Sequence, residues 1–388
     1  MSAGAGAGVG AGVGVGGGEL PCYDVVVAGG GPAGAAAALA LVRAGRTVLL
    51  ADAGRGPVPV GEALPAVARV LLGDLGASAV LTDGHLPCPA NRSAWGTPEL
   101  GAVDAILDPH GHGWHLDRPL FDRRLRAQAR AQGARLAPRT VARPAARAAD
   151  GTWTVELRGD GHRRAVRCRW IVDATGRRAA VATACGARRL VRDGLVAVHL
   201  TLDPPASRPA DTTTTVEAAP DGWWYTAPLP SGRRLLAWYT DADLPGASRE
   251  RPGFEARLAA TRHVNSLAAA HPWPPDARPR RAPAHTARLD TAYGDGWTAA
   301  GDAAAAFDPL SSQGILTALF TGLHAGRAVH AHLAGDPHAL PAYTDTLTAV
   351  GAHYLRNHRT HYTREQRWPD RPFWHRRHLP APGGGGPG

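Results

Sequence analysis

The chain has 388 residues, 44% of them hydrophobic types, and a formal net charge of +10. That length can bury two or three domain cores, and no apolar run reaches the roughly 18 to 20 residues of a membrane-crossing helix. The charge is carried by arginines scattered among acids, with no nucleic-acid-binding motif, so neither a helical membrane protein nor a nucleic-acid binder is expected.

Residues 1–20 form a Gly/Ala arm that lacks the basic start and twin arginine of an export signal, so a cytoplasmic protein is expected. Tyr23 to Ala28 is a β-branched run typical of a buried parallel strand. Gly29-Gly30-Gly31-Pro32-Ala33-Gly34 follows, then an alanine-rich helix ended by Gly45 and a second strand over 47–52. This is a βαβ unit. Periodicity predicts helices over 64–76 and 119–133 and strands over 152–158 and 165–174. From 195 to 244 the pattern becomes one of alternating strands, with a hairpin of Trp223–Pro228 and Arg234–Thr240 across Pro230-Ser231-Gly232. A strand at 297–300 precedes a helix over 313–334, and two further helical stretches run from Ala342 to Gln366. Residues 379–388 are a Pro/Gly tail. Four separated cysteines (Cys22, Cys88, Cys168, Cys185) suggest inert thiols rather than a zinc site or disulfide framework.

The order implies an α/β fold. A glutathione-reductase-like (Rossmann) domain over 21–190 and 285–335 is interrupted by an antiparallel substrate sheet over 191–284. A helical C-terminal cover over 336–378 completes it.

Gly29-x-Gly31-x-x-Gly34 lies between strand and helix, with Asp52 at the end of the next strand, as a dinucleotide site requires. Gly29 makes the tight turn, Gly31 admits a pyrophosphate to the backbone, and Gly34 lets helix and strand pack. The helix N-terminus adds partial positive charge, and Asp52 can accept from ribose hydroxyls. Two later segments resemble motifs of flavoproteins and so favour FAD over NAD: Gly301-Asp302 after a strand, and Val172-Asp173-Ala174-Thr175-Gly176, similar to the middle motif that returns the chain to the nucleotide.

Further segments carry a family likeness: Gly61-Glu62-Ala63-Leu64-Pro65, Trp114-His115-Leu116-Asp117-Arg118, Asp308-Pro309-Leu310-Ser311-Ser312-Gln313-Gly314, and Tyr362 to Trp374. With these the chain resembles the tryptophan-halogenase-like branch of FAD-dependent monooxygenases. Gly84 to Gly96 and Asp108 to His115 resemble a narrower group, the lysine ε-oxidase maturase type of flavoprotein that serves tryptophylquinone biogenesis. The resemblance implies FAD, with Arg118 at the flavin, Asp302 on the ribityl chain, and Pro309 to Gly314 wrapping the isoalloxazine. It also implies hydroxylation of a tryptophan in a partner oxidase precursor.

Halogenation is disfavoured. All 43 Lys-plus-Arg residues are arginine, and halogenases of this branch depend on one lysine. A guanidinium keeps its proton and has no free amine, so it cannot stand in. The counterpart of their Trp-x-Trp-x-Ile-Pro motif is Trp223-Trp224-Tyr225-Thr226-Ala227-Pro228. No second nucleotide fingerprint is visible, which points to a separate flavin reductase, or to weak direct reduction, as electron source.

Hydroxylation needs a dry, aromatic-walled site with an acid–base group. Trp223, Tyr225 and Trp238 are candidate walls, with Trp224 beside them, and strand alternation sends about half of such residues into the sheet core instead. His112 and His115 are the acid–base candidates. With His110 they make no convincing metal set, so no metal is expected. Tyr354 to Arg377 reads as a cover helix or a partner-docking surface. Two other functions stay open: oxidation of a small aromatic or isoprenoid metabolite, and a non-catalytic flavoprotein assembly factor.

Overall fold

The computed structural model describes residues 20–54, 63–105, 108–159, 161–207 and 211–379. Residues 1–19, 380–388 and the motif residues Gly61 and Glu62 lie outside them.

The nucleotide-binding layer is an eight-stranded sheet. Its main path runs β19 (Tyr293–Gly294), β20 (Trp297–Ala299), β11 (His162–Asp173), β1 (Cys22–Ala28), β2 (Val48–Asp52) and β8 (Arg135–Pro138). β10 (Trp153–Gly159) and β9 (Thr140–Arg147) continue antiparallel from β11. β20, β11, β1, β2 and β8 are parallel. β1 is covered on both faces, which is why Val25, Val26 and Val27 follow one another without a polar residue.

Helix α1 (Pro32–Arg43) lies under α7 (Gly314–Leu333), and both carry small residues where they meet. A Cβ on Gly322 would sit 2.2 Å from the Ala33 carbonyl oxygen. α3 (Arg118–Ala131) buries Phe121, Leu125 and Ala129, four residues apart on one face. α2 (Ala68–Asp74) and α4 (Ala180–Ala184) are short. Two three-stranded sheets edge this layer. One joins β3 (Ala63–Leu64), β7 (Gly113–His115) and β4 (Leu86–Cys88), the other β12 (Arg189–Val191), β18 (Ala287–Leu289) and β21 (Ala305–Ala306).

The second large sheet has seven strands. Its order is β17 (Arg280–Pro283), β13 (Leu195–Leu202), β16 (Arg234–Asp241), β15 (Gly222–Pro228), β14 (Thr214–Ala219), β5 (Ala90–Ala94) and β6 (Gly101–Asp104). The last two come from residues that the sequence reading left in the nucleotide domain. They are half-polar, so their local pattern does not reveal which sheet they join. Helices α5 (Arg251–Ala259) and α6 (His263–Ala268), absent from the predicted elements, cover one face, and α5 packs Phe254 against Trp224 beside Trp238. The opposite face carries Trp223, Tyr225 and Tyr239.

The C-terminal cover is α8 (Ala339–Arg364) followed by α9 (Pro372–His378). The expected two helical stretches are one continuous helix. Only Gly351 interrupts its interior, at a cost of about 1 kcal/mol, and threonine hydroxyls along it bond back to carbonyls four residues earlier. α9 is fastened to β16 by Arg377, which donates to Asp241 at 2.7 Å and lies over the Phe373 ring. Among the described residues no helix is long and apolar enough to cross a membrane.

Candidate functional site

Three loops from the nucleotide-binding layer converge at the carboxyl ends of β1, β11 and β20, the position where open α/β sheets bind ligands. At Gly29 the backbone turns with φ of 110°. A Cβ on Gly34 would lie 1.8 Å from the Gly29 oxygen, so only glycine lets α1 follow the strand this closely. Gly31 is different: a Cβ there would meet nothing within 4 Å. It faces open space at the start of α1, where free N–H groups and the helix dipole favour an anion.

Asp52 ends β2 beside this loop. Arg126 of α3 forms an ion pair with Asp52 at 3.1 Å and donates to the Gly30 oxygen at 3.0 Å, tying the acidic residue to the turn. Across the cleft, Arg177 follows Gly176, donates to the Phe307 carbonyl at 3.0 Å and lies 3.6 Å from Asp302. One arginine thus clamps the two segments read as FAD-specific. Gly301 packs its loop onto Ala33 of α1. Arg118 pairs with Asp122 one turn on at 3.2 Å and also faces the cleft.

The cleft is a cavity of about 1070 Å3, at the top of the roughly 300–1,000 Å3 range of ligand pockets. Gly31, Arg118, Gly176, Asp302, Pro309 and Gly314 line one side. Ala197, His199, Tyr225 and Tyr239 of the seven-stranded sheet line the other. The fit to FAD rests on the open space before Gly31, Gly176 and Gly314, the helix N-terminus, and the acceptors Asp52 and Asp302. These residues would hold the pyrophosphate, ribose and ribityl groups.

The loop 308–314 is anchored from below. Asp308 is buried; it accepts from Leu310 N at 2.9 Å and from the Tyr362 hydroxyl at 2.7 Å, and His358 lies 3.3 Å away. Trp223 Nε1 donates to the same Tyr362 oxygen at 3.0 Å. Burial raises the Asp308 carboxyl, but the bonds from His358, Tyr362 and Leu310 outweigh it and hold the group below the usual carboxylate range. Burial together with the Asp308 charge pushes the Tyr362 phenol up, so it stays a donor.

Four sequence candidates do not reach the cleft. His115 is fully buried in β7, where its Nε2 meets the Thr212 carbonyl at 2.9 Å. Burial lowers it to about 4, so it is a neutral core residue at pH 7. His112 bonds to the Gly113 carbonyl at 2.8 Å and packs edge-on against Trp114. Trp238 points to the α5–α6 face, and Trp223 lies beneath the C-terminal cover, stacked on Tyr239 with centroids 3.9 Å apart. Alternation explains Trp238, since odd and even positions of β15 and β16 face opposite layers, whereas Trp223 shares the face of Tyr225 and is kept from the cleft by the C-terminal cover, bonded to Tyr362. His112→Ala is therefore expected to leave FAD content, read from flavin absorbance, within about twofold of the parent.

Sequence reasoning missed Arg126, Arg177, His199 and Tyr239. Arg177 was legible, because it directly follows the Ala-Thr-Gly motif. His199 was one of 18 histidines, with nothing in its strand to single it out. Among the described residues no cluster of three His, Cys, Asp or Glu side chains is placed to hold a metal ion.

Residues 22–358 match the family model described as an FAD binding domain. The chain is 29% identical over 370 residues to LodB of Marinomonas mediterranea, named for an FAD-dependent oxidoreductase, covering 92% of this chain and 97% of that protein. It superposes on QhpG, a peptidyl tryptophan dihydroxylase, with TM-score 0.74 at 26% identity, covering 92% of this chain and 78% of that one. The myxobacterial chondrochloren halogenase CndH shares the fold with TM-score 0.82 at 21% identity, over 93% of this chain and 86% of that one. The glycine turn, the Arg177 clamp and the 308–314 loop line or brace the cleft in which a flavin would fit, and the chain belongs to the FAD-binding domain family as an FAD-dependent oxidoreductase of the monooxygenase type.

Proposed function

We propose that the protein hydroxylates a tryptophan side chain of a partner protein, the precursor of a quinone-cofactor oxidase. A separate reductase supplies its reducing equivalents. The observation that carries this reading is the cleft itself: the FAD loops face a wall of Tyr225, Tyr239 and small residues, suited to a flat electron-rich ring. The likeness to QhpG, whose name gives a peptidyl tryptophan as substrate, supports it along nearly the whole chain. So does the complete absence of lysine, which removes the halogenase route.

Bound FAD supplies the redox chemistry: with two reducing equivalents and O2, one oxygen atom goes to the ring and the other leaves as water. The chain's own part is binding, orientation and exclusion of water. Arg177, Asp302 and the anchored 308–314 loop hold the flavin side rigid. The seven-stranded sheet covers the opposite side with Ala197, Tyr225 and Tyr239, and limiting water there would suppress loss of reduced oxygen species to solvent.

Co-expression with such a precursor, followed by mass spectrometry of its tryptophan-containing peptides, tests the reading. A gain of oxygen on tryptophan that depends on this protein is expected. Complex formation without that gain would mean an assembly factor instead. Absence of both, with activity on a free aromatic or isoprenoid compound, would move the substrate to small metabolites. The purified protein alone is expected to oxidise NADPH only slowly in a spectrophotometric assay; rapid oxidation would remove the need for a reductase.

A further inference from the structure

We infer that the sheet face opposite the FAD loops seats a flat aromatic ring on an alanine floor and that His199 accepts the proton this ring loses on hydroxylation, an inference that rests on the hydroxylase reading and specifies it.

The strand register builds the floor. Ala197 of β13 stands opposite Tyr239 on one side and Ala282 of β17 on the other. Two residues along the same face, His199 stands opposite Ala237 and Arg280, and Ala237 in turn opposite Tyr225. Val198, Trp224 and Trp238 point the other way, into the α5–α6 layer, so the alternation is unambiguous. Ala197 and Ala282 both line the cavity, as do Tyr225, Tyr239 and His199. With neighbouring strands about 4.8 Å apart, Ala197 is buried at 3% exposure and Ala282 is partly exposed, so the pair keeps the wall low and leaves the Ala282 side open for a ring to lie against the sheet. Tyr239 bounds the patch on the β16 side, and His199 stands at its end.

His199 suits the proton's path. Its ring has no hydrogen-bond partner among the described residues, unlike His115 and His112, whose rings are engaged with backbone carbonyls. Burial first, and the Arg280 charge second, lower its pKa, which keeps the imidazole neutral and ready to accept. Arg280 is exposed beside it, so the proton can pass on from His199 to water at the rim. The other histidine on the cavity wall, His353, is exposed, with its Nε2 engaged by Asn357 at 2.8 Å. In the step assigned to His199, the ring carbon that gains oxygen gives up its hydrogen as a proton, and the C–H electron pair returns to the ring.

The test uses the full-length, FAD-loaded protein and N-acetyl-L-tryptophanamide as probe, with binding read as a perturbation of the flavin absorbance. The parent protein is expected to bind the probe. Ala197→Leu and Ala282→Leu fill the floor from two strands and are expected to weaken binding by about tenfold or more, equivalent to about 1.4 kcal/mol, at unchanged FAD content. Two variants guard against one that misfolds. His199→Gln is expected to bind the probe within about threefold of the parent, yet to slow oxygen gain on the co-expressed precursor by about a hundredfold, the low end of general-base contributions.

No probe binding by the parent, or parent-like binding by both leucine variants, overturns the floor. Parent-like oxygen gain with His199→Gln overturns the proton role. Should the parent bind the probe on the floor but never oxygenate the precursor, the hydroxylase reading and the proton role fall together while the ring site stands.

Discussion

Gly31→Val is expected to fold like the parent chain and lose FAD, whereas Gly34→Val is expected to lose stability outright. The two glycines are three residues apart in one turn, and their surroundings differ completely. A Cβ on Gly34 would fall 1.8 Å from the Gly29 oxygen and 3.1 Å from the Ala174 Cβ, all inside the core. Strand and helix must separate to admit it, at a cost of about 3 kcal/mol or more. A Cβ on Gly31 meets nothing within 4 Å, so the valine is accommodated in the empty protein and occupies the space of the pyrophosphate. Losing two charge-assisted bonds at about 2 kcal/mol each lowers FAD affinity by about a thousandfold. Urea unfolding of the FAD-free proteins and flavin titration separate the two effects. A Gly31→Val protein that keeps its FAD would refute the assignment of that space to the cofactor.

The second large effect concerns Asp308. Replacing it with asparagine removes the charge that His358 and Tyr362 serve and disturbs the base of the 308–314 loop. Losing the hydrogen bonds that Tyr362 and Leu310 donate to this buried carboxylate costs about 3 kcal/mol, and FAD affinity should fall with it because the loop lines the cleft that would hold the cofactor. The pH dependence has a definite sign. The folded carboxyl lies below the ordinary value of about 3.9, so its stabilisation is complete above that pH and is lost as pH falls through the folded value. The stability gap between parent and Asp308→Asn, read from urea midpoints, should therefore be widest above about pH 5 and shrink toward pH 3. Other depressed carboxyls, such as Asp24 and Asp211, are common to both proteins and cancel in the difference. A gap independent of pH would mean that the Asp308 charge does not anchor the loop.

The flavin half of this protein was legible from the chain alone. A glycine turn between a β-branched strand and an alanine helix, an acid at the next strand end, and two later return motifs are local patterns, each set by backbone geometry within a few residues. Cofactor and fold class followed from them, and the absence of any lysine disfavoured lysine-dependent halogenation. The catalytic half was not legible in the same way. His112 and His115 sit near Arg118 in sequence, yet β7 buries one and leaves the other against Trp114. His199, Tyr239 and the Ala197–Ala282 floor come together only because β13, β16 and β17, separated by long connections, pair in one register. Cross-strand neighbours depend on which strands meet and at what offset, and a one-residue slip would turn every one of these side chains to the other face. Local pattern therefore determined the cofactor the protein binds, while long-range pairing decided which residues line the cleft opposite the cofactor loops.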